Sequence, residues 1–247
     1  MMFEGKIVLV TGGSRGIGRA ISAKFGELGA TVLVNFLQNV EAAEETQRIL
    51  QKSGTECRLY QANLIHPHEI RELTGKIAED FGKLDILIHN AALGVFKPTL
   101  ELRANQWDLT MNINTRALLL LAKNCLGLMK EGGQIIAISS LGSHRVIPNY
   151  GAIGVSKAAL ESLVKYLAVE MAEHGIRVNA VSGGIIESDT IKKIPEHEKM
   201  LSEVREKIPA KRMGRPEDMA NAVAALASDL CSWIYGHILV VDGGLSL

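Results

Sequence analysis

Apolar, mostly β-branched runs alternate with longer amphipathic segments along the whole chain. KIVLVT (6–11) predicts a buried strand, and GIGRAISAKFGELG (16–29), with helical periodicity and a closing Gly29, predicts a helix. TVLVNF (31–36) predicts a second strand, followed by a charged helix over 40–53, a strand at ECRLYQA (56–62) and a helix near 67–81. LDILIHNA (84–91) reads as the next strand, and helices over 102–130 lead to a strand at GQIIAISS (133–140). SKAALESLVKYLAVEMAEHG (156–175) predicts a helix, IRVNAVSGG (176–184) a strand, PEDMANAVAALASDL (216–230) a last helix and HILVVDGG (237–244) a last strand.

The strand-like runs are apolar on both faces, as expected where helices cover both sides of a parallel sheet. The pattern predicts a single Rossmann-type doubly wound α/β domain over 1–247, with a seven-stranded parallel sheet and helices on both faces. The polar, Lys/Glu-rich stretch 186–212 breaks the alternation. It is the candidate substrate lid, the plain alternative being a polar surface excursion.

Length and composition agree with one large domain: 247 residues, 47% of them hydrophobic, can bury a sizeable core. Lys+Arg and Asp+Glu balance at 27 each, which removes the electrostatic footprint expected of a partner for nucleic acid or an anionic membrane. Cys57, Cys125 and Cys231 are odd in number and widely spaced, so they read as reduced thiols rather than as a disulfide framework or a zinc site. Elsewhere too, no His, Cys and carboxylate set has metal-ligand spacing. The N-terminus lacks the pattern of a signal peptide, and ALLLLA from Ala117 is far short of a membrane span. The expectation is a cytoplasmic protein.

VTGGSRGIG (10–18) follows the first strand and opens the first helix. Gly12, Gly16 and Gly18 permit a tight turn and close approach to a pyrophosphate, and the helix N-terminus offers free N–H groups to it. A tight strand–helix turn with no ligand is the alternative. NAD sites usually carry an acid at the end of strand two to bind the ribose 2′-OH. Here that position holds Asn35 and Phe36, and Arg15 in the glycine loop offers a partner for a 2′-phosphate. Both features point to NADP(H), Arg15 as a solvated loop charge being the alternative.

These residues resemble the short-chain dehydrogenase/reductase family over the whole chain. TGGSRGIG looks like its cofactor turn, and HNAA (89–92) like its N-A-G motif with Ala92 in place of glycine. MNINTRALLLLAK resembles the helix supplying the family's active-site Asn, which is Asn114 here, and ISS (138–140) the strand carrying its catalytic Ser, Ser140. RVNAVSGG resembles the segment contacting nicotinamide, with Gly183 where Pro is usual, and VDGG (241–244) the C-terminal signature near the tetramer contacts. The resemblance implies NADPH contacts from Gly12, Ser14, Arg15, Gly16, Ile17, Gly18, Asn35, Asn63, Leu64, Asn90, Tyr150, Lys157, Gly183 and Ile185, and a homotetramer. It also implies a catalytic set of Tyr150, Lys157, Ser140 and Asn114.

Most family members place the Tyr four residues before the Lys. In NYGAIGVSK (149–157) Lys157 and Ser140 keep the family's spacing, while Tyr150 stands seven before the Lys and Ile153 occupies the usual position. Seven helical residues make nearly two turns, so Tyr150 and Lys157 share a face about 10 Å apart along the axis, against about 6 Å for a spacing of four. Tyr150 is therefore expected at or before the helix start, with Asn149 as a candidate cap, Pro148 restraining the entry, and Gly151 and Gly154 permitting an irregular or mobile first turn. The Y-x6-K spacing resembles the enoyl-acyl-carrier-protein reductase branch, most closely the bacterial type III enzymes. Those tend to carry a basic residue just after strand two, where this chain has Gln38.

The resemblance implies NADPH-dependent reduction of a trans-2-enoyl thioester on acyl-carrier protein, or on coenzyme A, within the fatty acid elongation cycle. Tyr150 would hydrogen-bond the thioester oxygen, and Lys157 would hold the nicotinamide ribose and lower the phenol's pKa. Ser140 and Asn114 would act directly in a ketone reductase and structurally in an enoyl reductase. The rival readings are a 3-ketoacyl or other carbonyl reductase and a non-catalytic NADP-binding regulator. His89 reads as a packed strand residue, and His66 and His68 as part of a solvated turn.

Overall fold

The computed structural model describes residues 1–187, 202, 204 and 206–247. Seven parallel strands form one sheet: β1 Ile7–Thr11, β2 Thr31–Phe36, β3 Cys57–Gln61, β4 Ile86–His89, β5 Gln134–Ser140, β6 Arg177–Gly183 and β7 Ile238–Val241. Their order is β3-β2-β1-β4-β5-β6-β7. The expected doubly wound sheet is therefore present, and the predicted strands differ from it by a few terminal residues.

Period-two alternation explains why the strands read as continuously apolar. Ile7 and Leu9 of β1 enter one core layer, Val8 and Val10 the other. The first layer packs under α3 Pro67–Phe81, α5 Ala117–Cys125 and α6 Gly151–Ala172, through Ile70, Leu121 and Leu160. The second packs under α1 Gly16–Glu27, α2 Val40–Lys52 and α7 Pro216–Ala227, through Phe25, Leu50 and Val223. Both faces of each central strand are thus removed from water, which is the condition for an all-parallel sheet. The strand order reverses between β1 and β4, opening a crevice at their carboxyl ends where ligands bind in such sheets.

The helical stretch expected over 102–130 is not uniform. It divides into α4 Ala104–Met111, a π-helical turn Asn112–Arg116 and α5. The helix expected from Ser156 begins earlier, at Gly151, so the first turn is regular rather than irregular. Asn149 is not its cap: it stands at φ 61, and Tyr150 occupies the cap position without a side-chain capping bond. Close approach explains the glycines here. A Cβ at Gly154 would lie 2.6 Å from the Gly142 carbonyl oxygen, and one at Gly151 would overlap the Thr99 hydroxyl. The lid expected over 186–212 falls largely on 188–201, 203 and 205, outside the described residues. Its flanks meet where Ile186 bridges to Gly214.

This packing sets apart two helical glycines. Gly154→Ala is expected to cost about 1–3 kcal/mol, because the Gly142 backbone must give way. Gly75→Ala, in α3 with nothing near the added methyl, is expected to stabilise the fold by about 0.4–1 kcal/mol. Urea unfolding of both variants measures the contrast, and equal effects would contradict it.

Candidate active site

The glycine turn sits in the crevice and is braced from both sides. Thr11 Oγ accepts from the Asn90 and Ala91 amides, each at 3.0 Å, and donates to the Ile88 carbonyl at 3.2 Å. Asn90 Nδ2 donates to the Thr11 and Gly12 carbonyls at 2.9 and 3.1 Å. A side chain at Gly18 would overlap the Gly12 carbonyl, so only glycine lets α1 fold back this closely on the turn. Gly16 has φ +52 with open space around it. Arg15, at the cap of α1, makes no side-chain capping bond, which leaves the first-turn amides free for an anion. An uncapped helix start behind a turn only glycine can form fits a dinucleotide's pyrophosphate.

The residues expected around the nucleotide divide into two groups. The Arg15 guanidinium is exposed and makes no ion pair with the described residues. Ile17 is half-buried against the second core layer, and the Ser14 carbonyl is used by Arg19 and Thr46. Asn35, expected to face the cofactor, instead spends its amide on the Tyr60 and Ala62 carbonyls at 3.2 Å each, joining β2 to β3. Its carbonyl accepts from Gly13 N at 3.1 Å, which ties β2 to the glycine turn. Leu64 sends its side chain into the core, leaving its main chain for contact. Asn63 builds the β3–α3 turn: its amide donates to Glu69 and its side chain accepts from Ile65 N at 3.1 Å. Gly183 ends β6 beside Met219, and Ile185 packs with Val204, Ile208, Met213 and Leu245.

Tyr150 is half-buried at the start of α6, its ring lying over Gly142, where a Cβ would be 2.5 Å away. Its hydroxyl donates to Ser140 Oγ at 3.3 Å, and Ser140 Oγ accepts also from Gly142 N at 3.3 Å. The Phe96 ring stands 5.6 Å from the Tyr150 ring, tilted by 50°, and is largely exposed. Lys157, buried seven residues on, donates from Nζ to the Ile138 carbonyl at 2.6 Å. Burial pushes its pKa down to about 8, and the Glu161 carboxylate pulls the other way.

The expected lowering of the phenol's pKa by Lys157 is not found. Burial holds Tyr150 above its ordinary value, and the hydrogen bond with Ser140 only partly offsets this. The tyrosine is protonated at neutral pH, as a hydrogen-bond donor must be.

Asn114 lies fully buried in the π-turn, a distortion often found at functional sites. Its amide donates to the Leu93 carbonyl and Ser156 Oγ at 3.0 and 2.8 Å, and its Oδ1 accepts from Leu93 N at 2.9 Å. It therefore holds the loop after β4 against α6. Its carbonyl accepts from His89 Nε2 at 3.1 Å, leaving the buried Nδ1 without a partner among the described residues. Burial, then the Lys157 charge, press the His89 pKa down to about 4. Thr11, Phe96, Ser156 and Glu161 join the site without having been expected from the sequence. Thr11 alone had a visible signal, as the residue before the glycine turn.

Cys57 and Cys125 are buried, Cys231 is half-buried, and all three are free. Among the described residues no His, Cys and carboxylate group is arranged to hold a metal, and no helix is long and apolar enough to cross a membrane.

Residues 12–246 match the family model described as enoyl-(acyl carrier protein) reductase. A 1-cyclohexenylcarbonyl-CoA reductase of Streptomyces collinus is 39% identical over 98% of this chain and 87% of its own length. A short-chain dehydrogenase of Burkholderia cenocepacia, solved in complex with NADP, superimposes with a TM-score of 0.93 at 29% identity, over 100% of both chains. So does LugOII, a promiscuous reductase catalysing keto-reduction at C1 during lugdunomycin biosynthesis, with a TM-score of 0.93 at 32% identity and 100% coverage of both chains. Sheet order, glycine turn, Ser–Tyr–Lys constellation and these matches agree: the chain belongs to the short-chain dehydrogenase/reductase family.

Proposed function

We propose that this chain reduces the trans-2 double bond of enoyl thioesters with NADPH, the acyl group being carried on acyl-carrier protein or coenzyme A, as in fatty acid elongation. The observation that carries this reading is the place of Tyr150. It stands at the cap of α6, seven residues before Lys157, with a protonated hydroxyl on Ser140. A reacting β-carbon lies two bonds beyond the thioester carbonyl carbon, so the partner of the carbonyl oxygen must stand further from the hydride donor than in ketone reduction. The displaced tyrosine suits that distance.

When bound, NADPH supplies the hydride taken up by the β-carbon. Exposed Arg15, with no acid at the end of β2, supports the 2′-phosphate form, and the Burkholderia cenocepacia relative was solved with NADP. The α1 amides would hold the pyrophosphate, and Lys157 would serve as the cation on the cofactor side. As negative charge develops on the thioester oxygen, Tyr150 donates a hydrogen bond to it, a preorganised electrostatic contribution. Ser140 fixes the direction of that hydroxyl, and Asn114 holds the Leu93 loop against α6, so both serve the site structurally. The enolate α-carbon then takes a proton from solvent water, completing the saturated thioester. Exposed Val155, Tyr166 and Val169 on α6 support self-association, in line with a homotetramer.

Ketone reduction is the second reading. The Tyr150–Ser140 hydrogen bond favours it, since the same pair could hold a carbonyl oxygen, and LugOII is a keto-reductase. Steady-state assays with NADPH and either crotonyl or acetoacetyl thioesters separate the two, and turnover of the ketone alone would overturn the enoyl reading. Tyr150→Phe is expected to lower turnover by about 100-fold or more while NADPH binding survives. Unchanged activity would remove Tyr150 as the donor.

Lys157 also sets a pH dependence of stability. Its folded pKa of about 8 lies below the ordinary 10.5, so between these values the unfolded chain binds the extra proton. The contribution of this group to stability therefore rises with pH across that window. The unfolding free energy of the wild type, measured against Lys157→Met, is expected to climb by about 3 kcal/mol over the window, at 1.36 kcal/mol per pH unit. A flat difference would contradict it.

A further inference from the structure

Lys157 is placed by two consecutive residues of β5. Its Nζ donates to the Ile138 carbonyl at 2.6 Å, and the next residue, Ser139, donates its hydroxyl to Glu161 Oε1 at 2.5 Å. Glu161 stands four residues after Lys157 on α6, so the two side chains lie one above the other on the sheet-facing side. Ser139 and Lys157 are buried, and Glu161 is half-buried. The Ser139 hydroxyl thus ties the carboxylate to β5.

The surroundings explain why such a charge is needed. Asn114 in the π-turn and Ser156, the residue before Lys157 on α6, are buried, bonded to each other and uncharged. His89 from β4 is the other ionisable group interacting with Lys157, and it is uncharged above about pH 4. Tyr150, at the start of α6, stays protonated and supplies no negative charge. Among the described residues, Glu161 is thus the anion opposing the desolvation of the buried ammonium.

We propose that Glu161 is a positioning residue for Lys157: its carboxylate, pinned to β5 by Ser139, keeps the buried ammonium charged and seated against the Ile138 carbonyl. Loss of that carboxylate releases the Lys157 proton into the working pH range. The side chain then loses the charge with which it holds the cofactor side of the site. This assignment rests on the reading of Lys157 as a working group there, but it concerns the lysine's own charge and can be measured without any substrate.

Glu161→Gln is the informative change. The glutamine carbonyl still accepts from the Ser139 hydroxyl, so the packing contact survives while the charge is lost. The readout is the titration of Lys157 by NMR of protein carrying isotope-labelled lysine, its signal assigned by its disappearance in Lys157→Met. The midpoint is expected to fall by about one pH unit in Glu161→Gln, the scale for removing an opposite charge that neighbours the lysine without a direct ion pair. It is expected to recover at least half of that fall in Glu161→Asp. The alkaline limb of turnover should move acidward in step, on whichever thioester or ketone the enzyme reduces. An unmoved or raised midpoint in Glu161→Gln, or an aspartate variant no different from the glutamine one, would overturn the assignment. A failure of the enoyl reading shows instead as absent crotonyl turnover with the titration shift intact.

Discussion

The Lys157 ammonium, taken out of water and given to the Ile138 carbonyl at 2.6 Å, is the interaction around which the site is organised. A buried charge is tolerated only with partners close by. That requirement fixes how α6 lies on β5. The helix must come close enough for the lysine to reach the strand, and Gly154 and Gly142 provide the room, since a methyl on Gly154 would press into the Gly142 carbonyl. Once α6 is seated, its first residues carry Tyr150 over the β5 exit loop and onto Ser140. The position of the hydroxyl is thus a consequence of where the lysine is anchored.

A second constraint holds the cofactor side. Thr11, Asn90 and the Gly12 carbonyl tie the turn after β1 to the chain leaving β4, at the reversal of strand order. Asn114 then ties the continuation of that chain, at Leu93, to Ser156 on α6. Glycine turn, β4 exit and α6 form one connected unit, which holds the turn and the Tyr150 hydroxyl at a set separation. Much of the polar cluster named from the sequence serves this bracing. Asn35, Asn90 and Asn114 bond protein groups first, and only their main chains or free edges remain for a ligand.

The sheet was legible because two-sided burial imposes uninterrupted apolar runs, and parallel order follows from alternation with helices. The glycine turn was legible because it stands between strand one and helix one. Less visible was anything decided by contact between distant segments. Gly151 and Gly154 suggest a loosened helix start when read locally, yet they mark close approach to Thr99 and to Gly142. The fate of the Asn35 amide depends on where β3 lies, and the π-turn at Asn114 has no compositional signature. The tyrosine's ionisation could not be inferred from a lysine seven residues away, because burial sets its direction and the hydrogen bond with Ser140 is what opposes it. Glu161 is invisible for a similar reason. A glutamate on an amphipathic helix reads as a solvated charge until Ser139 is seen against it.

The central claim is that the spacing of Tyr150 from Lys157 directs hydride to a carbon–carbon double bond. It is tested most directly by giving the enzyme NADPH deuterated at the nicotinamide C4 position, with crotonyl and acetoacetyl thioesters together in equal amounts. The account predicts that the first deuterium appears at the β-carbon of the saturated butyryl product. Deuterium confined to the carbinol carbon of the hydroxybutyryl product, with the crotonyl double bond intact, would contradict it.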